Sequence, residues 1–416
     1  MAARIIWTVG WLGLGLLGAG PSEWGNWETG PDGPRAQGPR AFQKFRSPEA
    51  GSRIDPSSVL RPPSVGSWAP PERLTANERE DTCPAALRSR KGTVWLFYQG
   101  GQPQDFNTTE IYYRTWAAGR WTPEIRLTDN QVSDSSPSVF EAQDGKIWLF
   151  WRTGRGSNYN SYEICYRTFD GRAWSPPQNL TRNEVGDFRP CALQTREGTI
   201  WAFWSRGRGY DFSSYEVYSR TFTGGQWSEE RRLTRNEVMD FNPAAAQTRQ
   251  GDLWLVWSSQ AEGQSHLRAQ RYHRGKWHPP RTLTADLPGS HFNPTILEDE
   301  KGRLWLAWDS SRDRLRSFEV YYRTSADGVR WSPAASLTRS SWNRNATLLA
   351  GPKGAVWAFW SGGQGKRAEI FFSPLSLSVR SPRPKPPAPP PAGRRPPPNT
   401  PAFAPGCAQT RPDPPR

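Results

Sequence analysis

An all-β fold of six similar four-stranded blades, closed into a β-propeller, is predicted for this 416-residue sequence by three observations. The motif W-x-x-[WY] recurs at Trp95/Tyr98, Trp148/Trp151, Trp201/Trp204, Trp254/Trp257, Trp305/Trp308 and Trp357/Trp360, spaced by 53, 53, 53, 51 and 52 residues. The dipeptide Leu-Thr recurs at Leu74, Leu127, Leu180, Leu233, Leu283 and Leu337, and a Trp stands six residues before each Leu. A fixed period of this length, seen in independent registers, is the signature of a repeat architecture. The composition agrees. A chain with 23 Trp, 38 Gly and 40 Pro does not suit a helical bundle, and 4 Cys are too few for a disulfide-stapled scaffold.

Taken in order, the chain opens with an uncharged apolar run over residues 5–20. Sixteen residues are short for a membrane span but suit the core of a signal peptide, so residues 1–20 read as a signal peptide or an uncleaved anchor. Either reading puts the remainder outside the cytoplasm: secreted, periplasmic or at the cell surface. Residues 21–65 read as a Gly/Pro-rich linker, residues 66–380 as the propeller, and residues 381–416, with 15 Pro, as a disordered basic tail. The net charge of +15 divides accordingly. Leader and linker hold 7 basic and 5 acidic residues and the tail 6 and 1, leaving 41 against 33 for the propeller. A basic excess located partly in the tail argues against a nucleic-acid partner, and a membrane partner enters only through an uncleaved N-terminal segment.

Within one unit, four strand-like pieces follow each other at 137–143, 146–153, 161–169 and 173–181, with Asp144-Gly145 and Asp170-Gly171 as hairpin signals. The second piece, KIWLFWRT, is apolar on both faces and must be covered on both, as blades packed around an axis would do. The fourth carries Pro176 and Pro177, tolerable only at a sheet edge, and is therefore outermost. The last unit lacks its W…LT strand, while an extra copy, Trp68–Thr75, precedes the first. Pairing that copy with the last sheet closes the ring and removes its open edges.

Over residues 66–375 the repeats resemble the sialidase-like family of propellers with BNR (Asp-box) repeats. Segments 168–174 and 325–331, with Asp170-Gly171 and Asp327-Gly328 before Trp174 and Trp331, look like Asp-boxes one residue short of S-x-D-x-G-x-x-W; elsewhere Ala117 or Thr223 replaces the Asp. The resemblance implies a structural box, with Asp and Gly making a turn and Trp packing between blades. It also implies, for sialidases, three Arg on a substrate carboxylate, a Tyr–Glu nucleophile and an Asp acid/base. The nearest fragment to their Arg-Ile-Pro motif is Phe188-Arg189-Pro190, in the third unit and without the Ile. Tyr113-Arg114, Tyr166-Arg167 and Tyr322-Arg323 repeat, which makes their Arg architectural, stacking on a neighbouring ring. No catalytic triad is assigned.

The loops from outer to next inner strand and from second to third strand share one face of a propeller. On that face the sequence places Asp134, Asp187, Asp240, Arg155, Tyr159, Arg189, Arg208, Tyr210 and Trp342 as candidate ligand-binding residues. Carboxylates, guanidinia and rings together suit a carbohydrate or glycoconjugate. Each Asp has a competing role as a cap of its own turn. A ring of Asp81, Asp134, Asp187 and Asp240 could hold Ca²⁺, but His291 and Asn343 interrupt it, so neither a metal nor another cofactor is assigned. Asp309 reads as an unpaired acid on this face, and the four His as surface or packing residues. Three functions stay open: a glycoside hydrolase, a lectin-like module and a protein-binding scaffold.

Overall fold

The computed structural model describes residues 67–375 apart from 104, 210, 313–316, 340, 341 and 364–366. The signal peptide or anchor, the linker and the Pro-rich tail lie outside the described residues, as does Tyr210. Six antiparallel sheets surround an axis, each wound outward from an inner strand. The inner strands are Glu80–Arg88, Ser133–Glu141, Gly186–Gln194, Met239–Gln247, Ser290–Glu298 and Arg344–Ala350. Among the described residues there is no α-helix.

Ring closure follows the expected route. Glu72 and Arg73 pair with Phe372 and Phe371 of the last blade's third strand, and Trp68 bridges to Leu375. Side chains reinforce the seam: Thr75 Oγ1 donates to Glu369 Oε2 at 2.6 Å and accepts from the Ile370 N–H at 3.0 Å. Prolines break the outer strands as anticipated. In the second blade only Gln178–Asn179 pairs regularly, with an isolated bridge between Phe169 and Trp174 beyond Pro176 and Pro177.

In five of the six blades the outer-strand Trp packs edge-on against the preceding blade. Trp174 meets Phe97 at 6.0 Å and 88°, Trp227 meets Phe150 at 6.1 Å and 88°, and Trp68 meets Tyr322 at 5.8 Å and 77°. The second-strand aromatics fill the space between sheets, and Trp204, Trp257, Trp305 and Trp308 are fully buried. An edge-to-face pair contributes about 0.5–1.5 kcal/mol beyond its buried area, so these contacts fix blade orientation as well as cohesion.

The repeated Tyr-Arg guanidinium is architectural, but hydrogen bonds to main chain carry it rather than ring stacking. Arg167 Nε donates to the Ser175 carbonyl in its own outer strand at 2.6 Å, and Nη1 reaches the Leu127 carbonyl of the previous blade at 3.3 Å. Arg114, Arg220 and Arg323 reach Leu74, Leu180 and Leu283 in the same way. The last blade has Ser373 in this slot, whose hydroxyl instead secures Ala69 of the closing strand at 2.7 Å. Asp170 and Asp327 make their turns by accepting two backbone N–H groups each, all at 2.8 Å. These bonds hold the Asp327 carboxyl well below the usual range.

Candidate functional site at the mouth of the axial channel

Each inner strand bulges near its start, at Cys83, Ser136, Arg189, Asn242, Asn293 and Asn345. All six have φ between +49° and +56°. Proline follows five of them, and Ala346 follows Asn345. Positive φ is costly for side chains other than Gly, Asn and Asp, so something must hold each bulge. In five blades the residue after the W-x-x-[WY] motif does so across the blade interface. Gln99 accepts from the Ser136 N–H at 2.8 Å, Ser205 from Asn242 at 2.9 Å, Ser258 from Asn293 at 3.2 Å and Ser361 from Cys83 at 3.0 Å.

Asp309 fills this slot in the fifth blade. It is not an unpaired acid on the loop face but a fully buried acceptor from the Asn345 N–H at 2.9 and 3.0 Å and from Asn293 Nδ2. Burial pushes its carboxyl up to about 6 against the pull of Arg344. In the second blade the slot holds Arg152, which has no acceptor atom to offer. Its Nε donates to Ser135 Oγ at 2.9 Å, and its guanidinium lies 4.3 Å over Tyr162 and 5.6 Å from the Phe188 ring centre.

The bulge residues line an axial channel of about 240 Å³. Arg189 spans it, donating to Cys83 Sγ at 3.3 Å and to Asn345 Oδ1 at 3.1 Å. Immediately before each bulge stand Thr82, Ser135, Phe188, Phe241, Phe292 and Arg344. The three Phe join Tyr159, Tyr162, Tyr215 and Phe318 in an aromatic cluster on the loop face. Arg344 lays its guanidinium 4.2 Å over Phe318, with its Nε 3.8 Å from Asp309. Burial, and Arg189 nearby, lower the pKa of Arg344.

The candidate residues from the sequence divide into three groups. Asp134, Asp187 and Asp240 are buried beneath the loops, where Asn130, Asn183 and Asn236 donate to them at 2.6, 2.7 and 2.7 Å. Arg206 adds a bidentate pair to Asp187 at 2.7 and 3.0 Å. Burial raises all three carboxyls. Tyr159 is buried in the aromatic cluster, and Arg189 lines the channel. Arg155, Arg208 and Trp342 are exposed, Trp342 by 39%, with its ring 6.4 Å from Phe318. Glycines shape these loops: at Gly154 and Gly207 a Cβ would meet the Tyr162 and Tyr215 rings at 2.6 and 2.1 Å. Among the described residues no group of three or more His, Cys, Asp and Glu could hold a metal ion.

Arg152 and Arg344 are the residues that sequence reasoning passed over. Their signal was present as departures from the repeat, in two slots whose structural role only the register revealed.

Known proteins share this architecture. A protein of unknown function from Dyadobacter fermentans superimposes with a TM-score of 0.63 at 11% identity, over 75% of this chain and 99% of that one. The GH93 alpha-L-arabinofuranosidase of Fusarium graminearum gives 0.58 at 13% identity, over 74% and 98%. A Hadza microbial sialidase gives 0.56 at 15%, over 72% and 66%. The fold is that of sialidase and arabinofuranosidase propellers. At these identities the likeness extends to fold alone. No family model matches the chain. In sequence, the mitochondrial glycerol-3-phosphate dehydrogenases of Bos taurus and Homo sapiens are 26% identical over 163 residues, 37% of this chain. The chain spans 20% of the length of these curated relatives.

Proposed function

We propose that this protein is an exported propeller that recognises carbohydrate bearing an acidic group at the channel mouth, without hydrolysing it. One observation carries the reading. Arg152 and Arg344 replace a hydrogen-bond acceptor and an aromatic or small residue of the repeat, and each holds a largely buried guanidinium against a ring of the loop face. The fold gains no bulge latch from Arg152, so architecture does not ask for it. A stacked guanidinium suits a carboxylate or sulfate, and the exposed Trp342 ring suits the C–H face of a sugar.

Hydrolysis would ask for two carboxylates about 5–9.5 Å apart that face the substrate, or a Tyr nucleophile in place of one. The acids that repeat around this face are instead committed to the loops: Asp134, Asp187 and Asp240 to Asn side chains, Asp309 to the bulge at Asn345. The test is a glycan array run alongside fluorogenic sialosides and arabinosides. Acidic glycans are expected to bind, about tenfold more weakly after Arg152→Met or Trp342→Ala, with no release of fluorophore. Turnover of either substrate would make the protein a hydrolase, and binding indifferent to both substitutions would remove the channel mouth from the site.

A further inference from the structure

Three cysteines among the described residues are unpaired: Cys83, Cys165 and Cys191. Their surroundings differ. Burial pushes the Cys165 and Cys191 thiols up to about 12, which disfavours their thiolate forms near neutral pH. Cys83 and Cys191 both line the axial channel, Cys83 with 8% of its surface exposed, and among the described residues Cys83 is the one with a guanidinium within hydrogen-bonding distance of its sulfur. Nothing in the bulge asks for sulfur. The slot needs a residue at φ +53°, a conformation that Asn tolerates and Cys does not favour, and three blades use Asn.

One guanidinium contacts this thiol and a second acts on it electrostatically. Arg189 Nη1 stands 3.3 Å from Sγ, reaching it from the third blade across the channel. Arg344, from the sixth blade, is 8% exposed and interacts electrostatically with both Cys83 and Arg189. The buried Arg344 Nε has no hydrogen-bond partner, its one ion pair being the 3.8 Å approach to Asp309. Among the described residues Asp309 is the carboxylate on which both cations act.

We propose that Cys83 is a modification site, a channel thiol oxidised by peroxide, with Arg189 and Arg344 receiving the oxygen placed on sulfur. The sulfur attacks one peroxide oxygen, forming an S–O bond as the O–O bond breaks. The departing hydroxide takes the thiol proton and leaves as water; sulfur is oxidised by two electrons and the peroxide reduced. The sulfenic acid oxygen, and still more a sulfinate formed by a second equivalent of peroxide, gains charge-assisted hydrogen bonds from the two guanidinia. Arg344 is shared with the proposed carbohydrate site, but oxidation of Cys83 requires no carbohydrate to bind there.

The full-length protein is treated with hydrogen peroxide in the presence of dimedone, and adducts are quantified cysteine by cysteine by mass spectrometry. Cys83 is expected to carry about tenfold more adduct than Cys165 or Cys191. In wild-type protein the iodoacetate-to-iodoacetamide rate ratio at Cys83 should exceed that of N-acetylcysteine several-fold and fall with salt, as attraction of an anionic reagent requires. Arg344→Met should lower both readouts, and Arg344→Lys, which keeps the charge, should retain most of the iodoacetate preference. An adduct level at Cys83 no higher than at Cys165 and Cys191, or a reagent ratio matching N-acetylcysteine, overturns the assignment; both measurements are made on the unmutated fold.

Discussion

Asp309 and Arg344 form a buried pair held by the Asn345 main chain, the Asn293 side-chain amide and the Phe318 ring. Asp309→Ala removes the acceptor for the Asn345 N–H and leaves Arg344 without a counter-charge, so a loss of about 3 kcal/mol is expected in urea denaturation. Asp309→Asn keeps an acceptor oxygen and should cost less. The same chemistry sets the response to pH. Burial lifts Glu80 to about 7 and Asp81 and Asp309 to about 6, and raises Asp134, Asp187 and Asp240 as well. From about pH 4 to about pH 7 the folded state therefore holds protons that the unfolded chain has released, and stability falls as pH rises through that window. His291, pushed down to about 4 by burial, works in the opposite sense between about pH 4 and 6.5. Several carboxyls outweigh one imidazole, so thermal unfolding should occur at a higher temperature at pH 5 than at pH 7.5.

At the scale of the strand, the Leu-Thr dipeptide is a clasp. Thr234 Oγ1 accepts from the Val217 N–H at 2.9 Å and donates to Glu216, whose other oxygen accepts from the Asn236 N–H at 3.0 Å. Thr128 with Glu110 and Thr181 with Glu163 repeat the arrangement. Thr234→Val keeps the volume and removes both bonds, and should lower stability by about 2 kcal/mol, measurable as a shifted denaturation midpoint at constant slope. The Leu-Thr period was legible in the sequence because it repeats without exception. Its Glu partner was not, because it is His266 in the fourth blade, and only strand pairing shows that residues 18 apart, such as Glu216 and Thr234, touch.

Across the whole molecule, stability depends on a two-residue strand with one further bridge, Glu72–Arg73 and Trp68, shutting the ring between distant parts of the chain. Removing residues 67–75 exposes the Glu369–Leu375 edge and uncovers Tyr322, so the melting temperature should drop by about 10 °C and dye binding to exposed apolar surface should rise. An unchanged melting temperature would mean that the ring does not need its clasp. Blade number, strand order, the outer position of the Pro-bearing strand and the route of closure were all determined by the sequence, because each repeats and a period reports itself without neighbours. The site was decided by tertiary structure. Asp134, Asp187 and Asp240 went under the loops, where Asn side chains four residues away donate to one oxygen of each. Arg152, Arg189 and Arg344 came to the channel mouth from three blades because ring closure sets inner-strand bulges side by side. Cys83 and Arg189 are 106 residues apart in the chain and 3.3 Å apart in space, a proximity that no spacing in the sequence encodes.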